Sequence, residues 1–253
     1  MKTISKLKSR IIFEVDDFKM LLRHIPPITL VLATLSVILM NLFANKEFVN
    51  YKYLALDCGF LVSWMSFLAM DMLTRRFGAR AAIKVAYIGI FFNLLCAALF
   101  KLIAICNFGN WGEFYNLNSP TANDAINNTF GGNWYILFGS TVAYAFSSII
   151  NCTINQALGK LFKGKSFKEY TIRSYVSTIV GQIADNLLFA FIVSTVLFGW
   201  TLSQCIACSI VGALFELLSE VIFSPIGYRV CKRWEKEKIG ESYIRYAAQH
   251  KLN

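Results

Sequence analysis

The run IRSYVSTIVGQIADNLLFAFIVSTVLF, Ile172 to Phe198, decides what kind of molecule this chain is. As a helix it is long enough to cross the roughly 30 Å hydrocarbon core of a bilayer. Its polar residues are not scattered. Arg173, Ser177, Gly181 and Asp185 follow at i, i+4, i+8 and i+12, with Ser174, Thr178, Gln182 and Asn186 beside them. Helical spacing makes this one continuous strip, about 18 Å long at about 1.5 Å per residue. Such a strip faces a wet cavity or other helices, because an Asp at a helix centre costs about 2.5–3.5 kcal/mol on insertion scales. Gly181 within it permits close backbone approach.

Outward from this run, five further stretches have the length and apolarity of spans: Ile28 to Ala44, Tyr53 to Thr74, Ala81 to Cys106, Trp134 to Phe162 and Ser203 to Val230. Pro26-Pro27 suits a helix start before the first, since Pro supplies a fixed φ where its missing N–H is not needed. The composition agrees. Of 253 residues, 56% are hydrophobic and only 16% charged, with a mean hydropathy of +0.52. Ordinary soluble chains are about 45–50% apolar and about 25% charged. The net charge of +10 therefore reads as a topology code rather than as a nucleic-acid-binding surface.

The positions of the basic residues test that reading. All but three of the 25 lie in the segment before the first span, between spans two and three, between spans four and five, and after span six, or at their edges. The exceptions are Lys46, Lys52 and Lys101. The segments from Asn107 to Asn133 and between spans five and six have none. Alternation of this kind puts both termini in the cytoplasm by the positive-inside rule. The expected fold is therefore all-α: a polytopic integral membrane protein with six transmembrane helices and cytoplasmic N and C termini, forming one domain over 1–253. Residues 1–27 form a cytoplasmic tail in which Ile4, Leu7, Ile11, Val15, Phe18 and Leu22 recur at helical spacing. That tail is either an interfacial amphipathic helix or loosely ordered chain. Residues 107–133 form a turn-rich extracellular loop that caps a vestibule or merely connects, and 231–253 a basic cytoplasmic tail.

Several chemistries find no support. The seven cysteines include Cys205 and Cys208 as C-x-x-C, but that pair opens an apolar helix with no partner pair and reads as packing. The two histidines, His24 and His250, lie in the tails, so zinc ligation and a membrane metalloprotease have no donor set. No Gly-rich phosphate loop is present, which argues against a self-contained ATP-driven pump. The chain reads as a non-enzyme with no catalytic residues, metal or cofactor.

Other spans carry polar groups too. Glu216 and Glu220 stand one turn apart, Ser140, Tyr144, Ser148, Asn151 and Asn155 share a face, and the third span supplies Asn93. Two carboxylates four residues apart repel, so one is protonated or paired with a cation. The plain structural reading of Glu220 is an ion pair with Arg173; that of Asp71 is a helix-surface pair with Arg75 at i+4. The polar faces of five helices can converge on one cavity. Carboxylates accept paired N–H bonds from a guanine-like or amidine-like edge, and Trp64, Phe67, Tyr144 and Phe189 can stack on a ring face. Such a set suits a planar heterocycle better than a sugar or a metal ion.

The segment Phe67-Leu68-Ala69-Met70-Asp71, followed by Phe77-Gly78-Ala79-Arg80, resembles a motif of the vitamin uptake transporter family, whose best-known members import queuosine precursors. The resemblance continues through Ala143-Tyr144-Ala145, through Ser177-Thr178-Ile179-Val180-Gly181-Gln182-Ile183-Ala184-Asp185, and to Glu216 and Pro225. It implies six helices with both ends inside and a small-molecule substrate. The chain departs from the family pattern at Asn151 and Ser148, where Asp and Gln are expected, at Arg75, where Glu is frequent, and at Glu216, where Lys is usual. These departures suggest a rewired site.

The expectation is thus a carrier in the plasma membrane that imports a queuosine precursor of the 7-deazaguanine type, or another vitamin-like or nucleobase-like compound. The competing reading is a non-transporting scaffold or receptor. Asp185, Glu216, Asn151, Gln182, Asn93, Asn186, Tyr144, Trp64 and Phe67 are the expected substrate contacts, and Glu220, Asp71 and Arg173 the candidates for ion coupling or gating. The expected partners are a small-molecule substrate and the lipid bilayer, not nucleic acid. A homo-oligomer or an energising partner stays open.

Overall fold

A computed structural model describes residues 2–105, 128–129, 134–162, 166–250 and 252. The expected extracellular loop lies almost wholly outside the described residues, as does Cys106. Helix α1 (Lys2–His24) is followed, across a bend of 108° at Ile25-Pro26, by α2 (Pro27–Phe43). Pro27 begins α2 and Ile25 N–H still reaches back to Leu21 C=O, so the chain turns sharply without orphaning that donor. Next come α3 (Phe60–Phe77), α4 (Ala79–Ile105), α5 (Trp134–Leu161), α6 (Phe167–Leu197), α7 (Leu202–Lys236) and α8 (Glu241–Gln249).

Two helix starts are written locally. Ser166 and Glu169 form a reciprocal capping box at α6, and Thr201 and Gln204 do the same at α7. Near its far end α6 relaxes into a π turn, Ala190–Ser194. Tyr135 Oη donates to the carbonyl of Ile192 within that turn at 2.7 Å.

Two expectations need correction. The second span does not begin at Tyr53. Residues Glu47–Tyr51 (β1) and Leu54–Asp57 (β2) form an antiparallel hairpin within an otherwise all-α fold, with Tyr51 opposite Leu54 across a Lys52-Tyr53 turn. The aromatic and aliphatic residues that made this stretch look like span are the kind that also suit a strand. Asp57 then accepts the Gly59 N–H at 2.7 Å, and α3 starts beyond it. Second, the basic segment after residue 230 is largely helix. α7 runs on to Lys236, about 52 Å in all. α8 folds back with Tyr243 and Ala247 fully buried, and Phe77 lies against both Trp234 and Tyr243. Gly240 makes the reversal at φ 72, where a Cβ would fall 2.1 Å from Phe77 Cε1.

α1 is ordered as a helix and tied to α4. Glu14 bonds Arg80 at 2.6 Å and Lys84 at 2.9 Å, and the fully buried Asp17 pairs with Lys84 and Arg80. The hydrogen bond from Lys84 holds the Glu14 carboxyl below its ordinary range.

α3 occupies the centre of the bundle, packed by α2, α4, α5 and α7. The distribution of polarity is inverted relative to a soluble protein. Phe91, Leu102, Ile103 and Ile105 on α4 and Leu214, Leu218, Ile222 and Ile226 on α7 are exposed, whereas Asp71, Asn93, Asn151, Gln182 and Glu220 are buried. Apolar outside and polar inside is the arrangement for lipid as solvent. Helices α4, α5, α6 and α7 are each long and apolar enough to cross a membrane, and the bent α1–α2 pair passes the same test as one broken span. α2 alone has 17 residues and α3 carries Asp71, Arg75 and Arg76. The chain is a multi-pass membrane protein.

Candidate functional site

The helix ends nearest the hairpin surround a cavity of about 990 Å³. Its walls come from the end of α2, the hairpin, the end of α4, the start of α5, the end of α6 and the start of α7. Of the expected contacts, Asp185, Asn186, Glu216 and Asn93 line it. The same i+4 strip that marked α6 brings the first two there. Ser147 donates to Asp185 at 2.8 Å, and Asn186 Nδ2 lies 3.3 Å from Glu216 Oε2 and 3.4 Å from the carbonyl of Ser209. Asn41 and Ser140, joined at 2.5 Å, complete the polar wall opposite, and Phe60, Phe189 and Trp200 supply ring faces.

The charge of this cavity is one-sided. Among the described residues Glu47, Asp57, Asp185 and Glu216 line it, against one base, Lys101. An acid-rich, half-apolar chamber suits a molecule that offers hydrogen-bond donors or positive charge together with a flat apolar face. Ser209 Oγ and both polar atoms of the buried Gln182 have no partner among the described residues. Unsatisfied buried polar atoms are uncommon, and here they sit on α7 and α6 at or just below the chamber.

Below the cavity the bundle closes. A Cβ on Gly181 would lie 3.0 Å from Asn151 Cβ and 3.1 Å from Phe67 Cε1, so α3, α5 and α6 meet here closely enough that an added methyl needs its neighbours to give by a few tenths of an ångström. Phe67 and Tyr144 are buried at this level with rings edge-on, centroids 6.5 Å apart. They form the packed layer under the cavity and do not line it. Trp64 is stacked on Phe223 with ring centroids 3.7 Å apart and planes nearly parallel, and bridges α3 to α7.

Under that layer lies a second polar centre, fully enclosed. Asp71 accepts from Asn151 Nδ2 at 3.0 Å and from Ser174 Oγ, and Ser177 and Thr178 hydroxyls stand 3.4 Å from it. Ser174 Oγ also contacts Glu220 Oε1 at 2.6 Å. Asn155 donates to Ser177 at 3.2 Å and accepts from Arg173 at 3.0 Å. Neither expected ion pair forms. Arg75, instead of meeting Asp71, approaches Glu235 at 3.7 Å and lies over the Tyr170 ring, while Arg173 takes Asn155 rather than Glu220. Ser174 and Ser177 make the interhelical bonds that their spacing on α6 suggested.

The twelve residues singled out from the sequence thus divide by depth. Asp185, Asn186, Glu216 and Asn93 face the cavity; Gln182, Phe67 and Tyr144 lie at or near the layer beneath it, and Asn151 spans from that layer into the enclosed centre. Asp71, Glu220 and Arg173 belong to the centre, and Trp64 packs between helices. Asn41 and Glu47 escaped sequence reasoning. Asn41 is the one amide within an otherwise apolar first span, a signal that was available; Glu47 required the hairpin.

A protein-family model described as "putative vitamin uptake transporter" matches residues 57–230. That stretch runs from the last residue of the hairpin into α7 and contains the enclosed centre and the cavity residues Asn93, Asp185, Asn186 and Glu216, but not Asn41 or Glu47. No curated protein and no solved structure matches the chain.

Proposed function

The chain belongs to the vitamin uptake transporter family, and on that premise we propose that it imports a small planar heterocycle across the plasma membrane. The leading substrate class is the queuosine precursors, bases of 7-deazaguanine type. The observation that supports this reading most is the 990 Å³ cavity within the helix bundle, walled by Asp185, Glu216, Asn186 and Asn93 and floored by the Phe67–Gly181 layer. A chamber reachable from one end of the bundle and sealed toward the other is what a carrier presents when loading from one side. A purine-like edge with several N–H groups satisfies adjacent carboxylates, and its faces suit Phe60, Phe189 and Trp200.

In this reading six helices cross the membrane, α2 through α7, and both termini lie in the cytoplasm, as the positions of the basic residues favour. The cavity then opens outward. α1 lies along the cytoplasmic interface, which the 108° bend before α2 accommodates. Transport is driven by an ion gradient or by an energising partner subunit. Glu216, at a position where relatives usually carry Lys, favours a substrate richer in donors than theirs.

Proteoliposomes holding wild type, Asp185→Asn or Glu216→Gln, supplied with labelled 7-deazaguanine, test the reading. Uptake by wild type and its loss in both variants is expected, and undiminished uptake in both sinks the site. A thermal-shift screen of deazapurines, purines and vitamins in detergent separates the substrate classes; a protein that answers to ligand but never carries it is a receptor.

A further inference from the structure

The enclosed centre beneath the cavity is not needed to hold a ligand, yet it places two carboxyl groups on one hydroxyl. Ser174 Oγ is within hydrogen-bond distance of both Asp71 Oδ2 and Glu220 Oε1. A serine hydroxyl owns a single hydrogen. If it donates to one carboxylate, its contact with the other needs a hydrogen from that carboxyl; otherwise two anionic acceptors face the same oxygen. Asp71 is 1% exposed and Glu220 0%, so bulk solvent reaches neither carboxyl.

Independent orphans point the same way. Among the described residues Glu220 Oε2 and Asn151 Oδ1 are buried acceptors without partners, and Asn151 is turned into the centre by its bond to Asp71. The donors that also lack partners, Arg173 Nε, Arg75 Nε and Nη1 and the Tyr170 hydroxyl, are bonded to neither carboxyl, so the extra hydrogen is called for at Ser174 itself. The charged groups around the pair are few: Arg75 of α3, engaged with Glu235 of α7, and Arg173 of α6, engaged with Asn155. α5 contributes the amides of Asn151 and Asn155 and the thiol of Cys152; the Tyr170 hydroxyl and the Cys231 thiol complete the titratable groups nearby.

We infer that Asp71 and Glu220, bridged by Ser174, hold one exchangeable proton, and that this proton couples substrate movement to a proton gradient. The inference rests on the carrier reading above and adds its energy source. The balance is simple. With the proton bound, the pair carries one negative charge, and the carboxyl O–H and the serine O–H each meet one acceptor. When it leaves, two carboxylates share one hydroxyl hydrogen in a buried site, and α3 and α7, which carry them, repel. Glu216 on the cavity wall is one helical turn, about 6 Å, from Glu220 on the same face of α7. Ligand charge at the first and proton occupancy at the second therefore act on one rigid element.

Infrared spectroscopy of the purified full-length protein reads the proton directly. Wild type at neutral pH is expected to show a carboxylic-acid C=O band that Asp71→Asn and Glu220→Gln each remove, that Ser174→Ala shifts, and that Asp185→Asn leaves in place. Survival of every such band in both carboxyl variants overturns the proposal, whatever the substrate proves to be. In vesicles, an inward-directed proton gradient is expected to accelerate uptake of labelled 7-deazaguanine by wild type. Glu220→Gln is expected to lose that acceleration yet retain exchange of the compound at equal pH. Acceleration by sodium with no response to pH overturns the coupling. Vesicles that neither take up nor exchange the compound refute the substrate reading, and the infrared result then decides the proton site alone.

Discussion

On the cavity wall the amide nitrogen of Asn186 stands 3.3 Å from Glu216 Oε2, tying α6 to α7 at the level where a ligand would lodge. The amide thus orients one oxygen of a carboxyl that lines the chamber. Glu216→Gln should weaken 7-deazaguanine binding about tenfold to a hundredfold, because a hydrogen bond to a charged group contributes about 1.5–3 kcal/mol and 1.4 kcal/mol is tenfold. Asn186→Ala, which loses only orientation, should weaken it by less than about tenfold. Titration calorimetry in detergent measures both, and equal affinity for wild type and Glu216→Gln would exclude Glu216 as a contact.

Gly181 is a close contact of α6 with both α5 and α3. Gly181→Leu drives a branched side chain into Asn151 and Phe67 and should destabilise the fold by about 1–3 kcal/mol, the usual cost of overpacking. Gly181→Ala needs only a few tenths of an ångström of give and should cost less. Thermal unfolding in detergent ranks the two; equal midpoints for all three proteins would show that the layer is loose.

The C-terminal helix contributes to stability despite its polar composition. Tyr243 is 1% exposed against Phe77. Tyr243→Ala should cost about 3 kcal/mol, as large aromatic truncations do. Arg245→Ala, whose side chain is 74% exposed, should change stability by less than about 0.5 kcal/mol. Comparable unfolding midpoints for the two variants would contradict the docking of α8.

Attachment of α1 should depend on pH. The Glu14 carboxyl sits below its ordinary range because Lys84 donates a hydrogen bond to its charged form. Its contribution is therefore present above the unfolded carboxylate range and is lost as pH falls through the lowered folded value. The carboxyl is 43% exposed, so the contribution is that of a surface pair, at most about 1 kcal/mol. Hydrogen-exchange protection in α1, corrected for the intrinsic rate at each pH, should fall on acidification in wild type and less steeply in Glu14→Gln. Identical pH profiles would remove Glu14 from the attachment.

The positions of α4, α5, α6 and α7 could be read because the criterion is local: about 20 apolar residues are needed to bridge hydrocarbon, and composition alone reports them. The α6 strip was legible for the same reason, since residues four apart share a face. What stayed hidden is the relative depth of strips on different helices. Asp71 and Arg75, four residues apart on one helix, satisfied the rule for a surface pair. Tyr170 and Glu235, on other helices, claim the arginine, and Ser174 and Asn151 claim the acid. Nothing along α3 encodes that choice. The hairpin was masked by its own side chains: Phe48, Val49, Leu54 and Leu56 are as apolar as the span they precede.

The π turn at Ala190–Ser194 accommodates one residue more than an α-turn would, and an added residue rotates all that follows by about 100° about the helix axis. Ser194 and Phe198 owe their place on the chamber's rim to that rotation. Deleting a single residue there would swing both toward lipid without moving Asp185 or Asn186. The mouth of the chamber can therefore be reshaped by a one-residue length change, independently of the groups that grip the ligand.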